Sequence, residues 1–310
     1  PFFGSGAVLL GRPNPIGRPN PTGNETINDL DGFVANFWRA TKLRPDEVAE
    51  HADNPVNEND LHARHTWLLQ HRESLQPRLE ADPDFCDPKI AGWWVWGMAC
   101  WIGGGFCSGK GPWQVVDGKL VKVGDKPGVK RELVHLGGGV NRKLVHLGDG
   151  RGVNRKLVHL GDRGRGVNRL SQWFQALADR LARVRVCSGD WSRVCGPSVT
   201  FKHGLTAVFL DPPYADTADR DPNLYRVDSL SVAHDVREWA IENGGNKLMR
   251  IALCGYEGEH EMPASWECQK WDATGGYGAQ ASDDDRTENG KRERIWYSPA
   301  CLGAIQGVLL

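Results

Sequence analysis

The apolar run at 207–210 ends abruptly in the tetrapeptide Asp-Pro-Pro-Tyr at 211–214. Proline fixes φ and has no N–H, so a β-ladder cannot continue through two successive prolines. The sequence therefore predicts a buried strand that stops at Leu210, followed directly by a carboxylate, free carbonyl groups and an aromatic ring. In open α/β sheets, ligands bind at this carboxyl end of the strands.

The residue types after this strand suit an amine on a flat ring. Asp211 and the carbonyl of Pro212 can each accept one hydrogen of an exocyclic NH2 group, and Tyr214 can stack on the ring. Drawing both hydrogens to one side localises the nitrogen lone pair for attack. Alone, the tetrapeptide also fits an ordinary strand-ending turn, so the rest of the chain has to distinguish the two interpretations.

Helices and short apolar strands alternate on both sides of this strand. The sequence predicts a helix from Ala7, a strand over 25–29, helices over 31–42 and 170–183, strands over 184–187 and 208–210, a helix over 232–242, a strand over 249–254, an apolar segment at 266–271 and a last strand over 294–298. Such alternation predicts an α/β fold with a mostly parallel sheet.

The segment 44–169 differs in composition and is interpreted as an insertion. It is rich in His, Trp, Gly and Arg, with weak periodicity, and a short basic repeat recurs within 128–169. Each repeat fits either a strand of a small hairpin array or a disordered tandem duplication. Residues 119–170 hold 13 Lys and Arg against 4 Asp and Glu, in a chain whose total charge is −1. This local basic segment indicates contact with a polyanion, or else a solvated charged loop.

Several classes of protein are disfavoured by the composition. Eight cysteines without paired spacing in 310 residues indicate a reducing cytoplasm rather than a disulfide framework. The uncharged segment 90–109 holds too many glycines and tryptophans for a membrane span, so we expect no membrane partner. His62 and His65 lack nearby thiols or carboxylates and are expected on the surface, and we expect no metal.

Three further motifs precede the tetrapeptide. The chain opens on a Phe-x-Gly-x-Gly turn, two aspartates (Asp29 and Asp31) end the first strand, and 189–191 reads Gly-Asp-Trp. Glycine is needed where the backbone passes close to a ligand. A carboxylate at a strand end can accept two vicinal hydroxyls or can cap the following helix. Both roles stay open for Asp29 and Asp31.

In this order the four motifs resemble those of the S-adenosylmethionine-dependent amino-methyltransferases. With Asp before Pro-Pro, the chain is similar to the Dam-like DNA N6-adenine methyltransferases of bacteria and phages. The resemblance covers 1–42 and 170–302, with Trp191 where the family usually has Phe. It implies a Rossmann-like methyltransferase sheet, mostly parallel with an antiparallel closing strand. The implied domains are a catalytic domain split between 1–43 and 170–302, an inserted target-recognition region at 44–169 with its basic repeats at 128–169, and a tail at 303–310.

The resemblance also implies roles for individual residues. The residues implied to bind S-adenosylmethionine are Phe2, Gly4, Gly6, Asp29, Asp190 and Trp191. Those implied to bind and orient the adenine amine are Asp211, Pro212, Pro213 and Tyr214. The residues expected to contact DNA phosphates and base edges are Arg131, Asn141, Arg142, Lys143, Asn154, Arg155 and Lys156.

The expected function is methyl transfer from S-adenosylmethionine to the N6 amine of adenine in double-stranded DNA, with the base flipped out of the duplex. We expect a cytoplasmic enzyme of a bacterial cell or a phage-infected host, in a restriction-modification setting, and a monomer is compatible with the sequence. The alternatives are a methyltransferase for RNA adenine or for a glutamine amide, and an inactive DNA-binding remnant. The family carries a further cofactor motif upstream of the glycine turn, so we expect this chain to be an N-terminally truncated member.

Overall fold

The computed structural model describes residues 1–12, 24–101, 106–107, 113–116, 119–122, 166–213, 231–271 and 292–301. The chain falls into two compact units. The sheet unit contains 1–4, 27–29 and the residues from 190 onwards, and the helical unit contains 5–26 and 30–189. Residues 44–101 therefore share one unit with the helices that flank the predicted insertion.

The described elements are, in chain order, α1 (Ala7–Gly11), β1 (Glu25–Asp29), α2 (Gly32–Leu43), α3 (Pro45–Ala52), α4 (Glu58–Ala81), α5 (Pro88–Cys100), β2 (Trp113–Val116), β3 (Lys119–Lys122), α6 (Gly166–Leu181), β4 (Val184–Ser188), β5 (Thr206–Leu210), α7 (Val232–Asn243), β6 (Met249–Tyr256), β7 (Glu267–Lys270) and β8 (Glu293–Tyr297). Short 3₁₀ turns lie at 191–194, 197–199, 201–203 and 299–301. Outside 44–169, the predicted helices and strands are found with their ends shifted by four residues or fewer, and the apolar segment at 266–271 contains β7.

The sheet unit is built on four strands in the order β5-β6-β8-β7. β5 runs parallel to β6, with Leu210 opposite Leu253. β8 runs antiparallel to both of its neighbours, and Trp296 lies opposite Leu253 on one side and Cys268 on the other. The prediction of an α/β fold with parallel strands is confirmed, and the strand formed last along the chain is the antiparallel one.

One face of this sheet forms the core of the unit. Buried side chains of β5 and β6, among them Leu210, Ile251 and Leu253, pack with Val236 and Ala240 of α7. Every second residue of β5 and β6 enters this core, as expected for side chains that alternate across a pleated strand. The core therefore fixes which side chains reach the opposite face and the strand ends.

The helical unit contains three helices that the sequence analysis did not predict, namely α3, α4 and α5. Their periodicity is weak because α5 is apolar on most sides and α4 buries few of its 24 residues. Their ends nevertheless carry recognisable signals. Asn57 accepts hydrogen bonds from Asn59 N and Asp60 N, and Asp87 accepts one from Ile90 N, which makes them N-caps of α4 and α5.

The expectation that His65 lies on the surface is wrong. His65 is 2% exposed and packs between the rings of Trp101 and Phe106. Its Nε2 accepts a hydrogen bond from Cys107 N at 3.2 Å. Burial, followed by the charge of His62, lowers the pKa of His65 to about 4, so the ring is neutral near pH 7. His65 is therefore a core side chain of α4.

Gly92 allows α5 to pack directly against α3. A Cβ at this position would lie 2.4 Å from His51 Cβ and 2.8 Å from the carbonyl oxygen of Val48, and a backbone atom cannot move aside cheaply. We expect Gly92→Ala to lower the free energy of unfolding by about 2 kcal/mol in urea denaturation, despite the better helix propensity of Ala. Gly196→Ala is the matched control because a Cβ there meets no atom within 4 Å. Equal losses for both variants would contradict the packing argument.

Candidate functional site

The candidate site lies where β5 ends in the sheet unit. Leu210 is fully buried, and the chain then leaves the sheet at Asp211. Asp211 is exposed to solvent, Pro212 is buried and Pro213 is half-buried. The prolines thus anchor the start of the loop while the carboxyl group stays accessible. Tyr214 lies outside the described residues.

Asp211 has an unusual electrostatic environment for an exposed carboxyl group. Desolvation, followed by the negative charge of Glu259, raises the pKa of Asp211 from 3.8 to about 6. Asp211 is therefore open to solvent, while the surrounding protein and Glu259 disfavour its ionised form. Such a position is suited to a ligand that enters from solvent.

Two more acidic residues belong to this environment. Glu259 is buried in the turn that follows β6. Glu293 begins β8 opposite Tyr256, and desolvation followed by the charge of Asp211 raises the pKa of Glu293 to about 7. Desolvation and the charges of Asp211 and Glu293 also raise the pKa of Cys254, so its thiol stays protonated. The surroundings of Asp211 are therefore acidic, and the Cys254 thiol beside them is not ionised.

The opening turn is fastened to the end of β1 by side-chain hydrogen bonds. Oδ2 of Asp29 accepts from Phe3 N at 3.2 Å and from Gly4 N at 2.9 Å. Nδ2 of Asn28 donates to the carbonyl oxygen of Pro1 at 3.1 Å. Gly4 has a positive φ of 51°, a conformation that favours glycine. Asp29 thereby fixes the turn whose backbone the resemblance assigns to the cofactor.

The two neighbouring aspartates have different roles. Asp31 is the N-cap of α2, because its Oδ1 accepts from Phe33 N at 2.8 Å. Asp29 is instead engaged with the opening turn. Gly6, with φ of 74°, lies at the N-cap of α1 and belongs to the helical unit. Of the two functions that the sequence left open, helix capping is the role of Asp31.

Aromatic side chains connect the opening turn to the Gly-Asp-Trp motif. The rings of Phe2 and Trp191 lie 6.4 Å apart, and Trp191 makes an edge contact with Trp239 at 6.0 Å. Phe2 and Trp191 both pack against the core that contains Leu210. Asp190 is exposed and caps the next turn, because its Oδ1 accepts from Ser192 N at 2.9 Å.

The sheet unit therefore brings eight of the ten residues predicted to bind the cofactor or the amine into one compact body. Those within it are Phe2, Gly4, Asp29, Asp190, Trp191, Asp211, Pro212 and Pro213. Those outside the described residues are Tyr214, Arg131, Asn141, Arg142, Lys143, Asn154, Arg155 and Lys156. Glu259 and Glu293 were not predicted from the sequence. Glu259 follows a buried strand closely, as Asp211 does, but the sequence does not show that the two carboxyl groups are neighbours.

The described residues contain no group of three His, Cys, Asp or Glu side chains placed to hold a metal ion. Among the described helices, none combines the length and the apolar character needed to cross a membrane. No model of a known protein family matches the chain, and comparison with curated proteins gives no match either.

Proposed function

We propose that this protein is a DNA adenine methyltransferase that uses S-adenosylmethionine. The observation that carries the proposal is the convergence of motifs that are far apart in sequence. Asp29 holds the turn at 1–4, Phe2 packs on Trp191, and both rings share a core with the strand that ends at Asp211. If residues 211–214 were only a turn that ends a strand, nothing would require the other motifs to lie in the same compact unit.

The arrangement of the strands also supports the proposal. We propose that β5, β6, β8 and β7 are one half of a Rossmann-like methyltransferase sheet. The antiparallel strand that the resemblance implies near the end of such a sheet corresponds to β8, which lies between β6 and β7. Asp211 then lies at the carboxyl end of a parallel strand, where α/β sheets bind ligands.

The opening turn fits the methionine part of S-adenosylmethionine. A Cβ on Gly4 would meet no atom within 4 Å, so the turn leaves open space beside its backbone. Asp29 keeps that backbone in place, and Phe2, Trp191 and Asp190 supply flat rings and a carboxylate for the adenine part. S-adenosylmethionine, when bound, supplies an activated methyl group.

The target amine would bind beside Asp211, directly after the end of β5. Ionised Asp211 accepts one amine hydrogen and the Pro212 carbonyl accepts the other, while the ring of Tyr214 stacks on the base. Because a paired and stacked amine cannot be reached, the adenine has to leave the duplex. The basic repeats at 128–169 would contact the phosphates, and catalysis would be achieved by positioning and polarisation. A cytoplasmic location, where DNA and cofactor are both available, belongs to the same proposal.

The experiment that tests the function is incubation of the protein with unmethylated plasmid DNA and S-adenosylmethionine, followed by mass spectrometry of the nucleosides. We expect N6-methyladenine to accumulate, and sequencing should place it in one short sequence context. Parallel reactions with RNA and with a glutamine-containing peptide separate the other amino-methyltransferase targets. Binding of the cofactor without transfer to any of the three would contradict the proposal and favour an inactive DNA-binding remnant.

A further inference from the structure

β6 continues beyond the end of its neighbour β5, which leaves main-chain groups to be satisfied. The ladder between them ends with Leu210 opposite Leu253. On the other side of β6, the carbonyl of Ile251 accepts from Ser298 N, and Glu257 N donates to the carbonyl of Arg292. The main-chain N–H and C=O groups of successive residues point to opposite sides of a strand. Those of the odd-numbered residues of β6 point towards β8, so the main-chain groups of Cys254 and Tyr256 point towards the side of β5.

Glu259 and His260 satisfy these groups in place of a longer β5. Oε2 of Glu259 accepts from Tyr256 N at 2.8 Å. Nε2 of His260 donates to the carbonyl oxygen of Cys254 at 3.2 Å. The two side chains thus occupy the line that β5 would follow if Pro212 and Pro213 could continue the ladder. The Glu259 carboxylate is consequently beside the start of the loop, next to Asp211.

The position of Glu259 is tightly determined. Glu259 is 7% exposed, and its own N–H donates to the carbonyl of Tyr256 at 3.0 Å. A Cβ on Gly255 would lie 3.0 Å from Oε2 of Glu259 and 2.6 Å from Nε2 of His260. Glycine at 255 therefore leaves room for both side chains in the positions they occupy, and a larger residue would displace them. A buried carboxylate with so many constraints cannot turn away from Asp211 when that residue ionises.

Several titratable groups of the described residues face Asp211. They are Glu259 in the turn after β6, Cys254 in β6 and Glu293 in β8. The two glutamates disfavour ionisation of Asp211. Glu259 is the strongest of the charged neighbours.

We propose that Glu259 is a positioning residue that keeps Asp211 basic enough to take up the proton released in methyl transfer. The inference rests on the proposed function. A new N–C bond forms at the amine as the C–S bond of the sulfonium breaks, which leaves a neutral thioether and a cationic secondary amine. That amine gives one proton to the Asp211 carboxylate and becomes neutral. Asp211 then releases the proton to solvent, to which it is exposed.

The test compares the wild-type chain with Glu259→Gln, which keeps an oxygen that can accept from Tyr256 N but carries no charge. Asp211 is titrated without any reaction by following the NMR shift of its carboxyl carbon in each folded protein as a function of pH, with the Asp211→Asn derivative of each protein identifying the signal. We expect this midpoint near pH 6 in the wild type and about one pH unit lower after Glu259→Gln. The acid limb of the methylation rate should shift downwards by the same amount, and the maximal rate should fall.

Glu257→Gln is the matched control, because Glu257 lies two residues away but is exposed and paired with Arg294 at 2.7 Å. It should shift neither midpoint. Glu259→Ala should lower Tm more than Glu259→Gln does, since only alanine loses the bond to Tyr256 N. An unchanged Asp211 midpoint in folded Glu259→Gln would overturn the role of Glu259. A shifted midpoint with an unchanged pH profile of methylation would overturn the uptake of the proton by Asp211. Absence of methylation by the wild type would overturn the proposed function, and the titration would still measure the coupling between Glu259 and Asp211.

Discussion

Replacing Asp211 by Ala is expected to reduce methyl transfer by a factor on the order of 10³, the range seen when one preorganised polar group is lost from an active site. The physical reason is that the Pro212 carbonyl can accept only one of the two amine hydrogens, so the lone pair is no longer localised. Affinity for S-adenosylmethionine should change little, because the turn at 1–4 is held by Asp29. The measurements are single-turnover methylation and cofactor binding by calorimetry.

Replacing Asp211 should lower activity but raise the stability of the folded protein at neutral and alkaline pH. The pKa of Asp211 is higher in the folded protein than its usual 3.8, so between pH 3.8 and about 6 the folded state binds the proton more readily than the unfolded state. Ionisation of Asp211 therefore costs stability above pH 6. Asp211→Asn removes this cost, and we expect its Tm to exceed that of the wild type at pH 8 and to match it below pH 4.

A gain in stability combined with a loss of activity is typical of residues retained for function. Two results would contradict this assignment. One is methyl transfer by Asp211→Ala at more than a tenth of the wild-type rate. The other is a Tm of Asp211→Asn at pH 8 that falls below that of the wild type, because Asp211 would then be a structural carboxylate.

Replacing Asp29 by Ala is expected to weaken S-adenosylmethionine binding by about 100-fold. The change removes two hydrogen bonds from backbone N–H groups to an ionised carboxylate, each worth about 1.5 kcal/mol or more, and only the ordered turn can bind the cofactor. The dissociation constant can be measured by calorimetry, and methylation at saturating cofactor should recover most of the wild-type rate.

Asp31→Ala is the control for Asp29→Ala, since both remove a short carboxylate from the same segment. Asp31 caps α2, so its loss should lower the free energy of unfolding by about 1 kcal/mol and leave cofactor affinity unchanged. If the two variants weakened cofactor binding equally, the opening turn would not be the cofactor site.

Helices and strands could be predicted from the sequence where the pattern of apolar residues matches the face that is buried in the fold. Strand β1 is found at the residues predicted for it, and α2 and α7 are displaced by one residue at most. The helices α4 and α5 were missed because their apolar residues do not follow one stripe, and α3 was missed although Val48, Ala49 and Ala52 form one buried face. The caps of α4 and α5 at Asn57 and Asp87 were visible in the sequence but carry no information on which neighbours the helices pack against.

The site could be predicted only as far as its motifs extend. Asp211 was identified from its two prolines, because proline has the same effect on a ladder in any fold. Glu259 and His260 could not be assigned in this way, since their position beside Asp211 depends on β6 being longer than β5. That difference in length arises from register, which becomes known only when the strands are paired.

The placement of β8 has a consequence for synthesis of the chain. β8 is made after β6 and β7 yet lies between them, so a ribosome that has not reached residue 293 has produced two strands whose shared neighbour does not exist. During that interval the edge of β6 next to Ile251 and Leu253 is unpaired and apolar, a surface that other chains can join. The order β6-β8-β7 can therefore be completed only after residues 293–297 have been made.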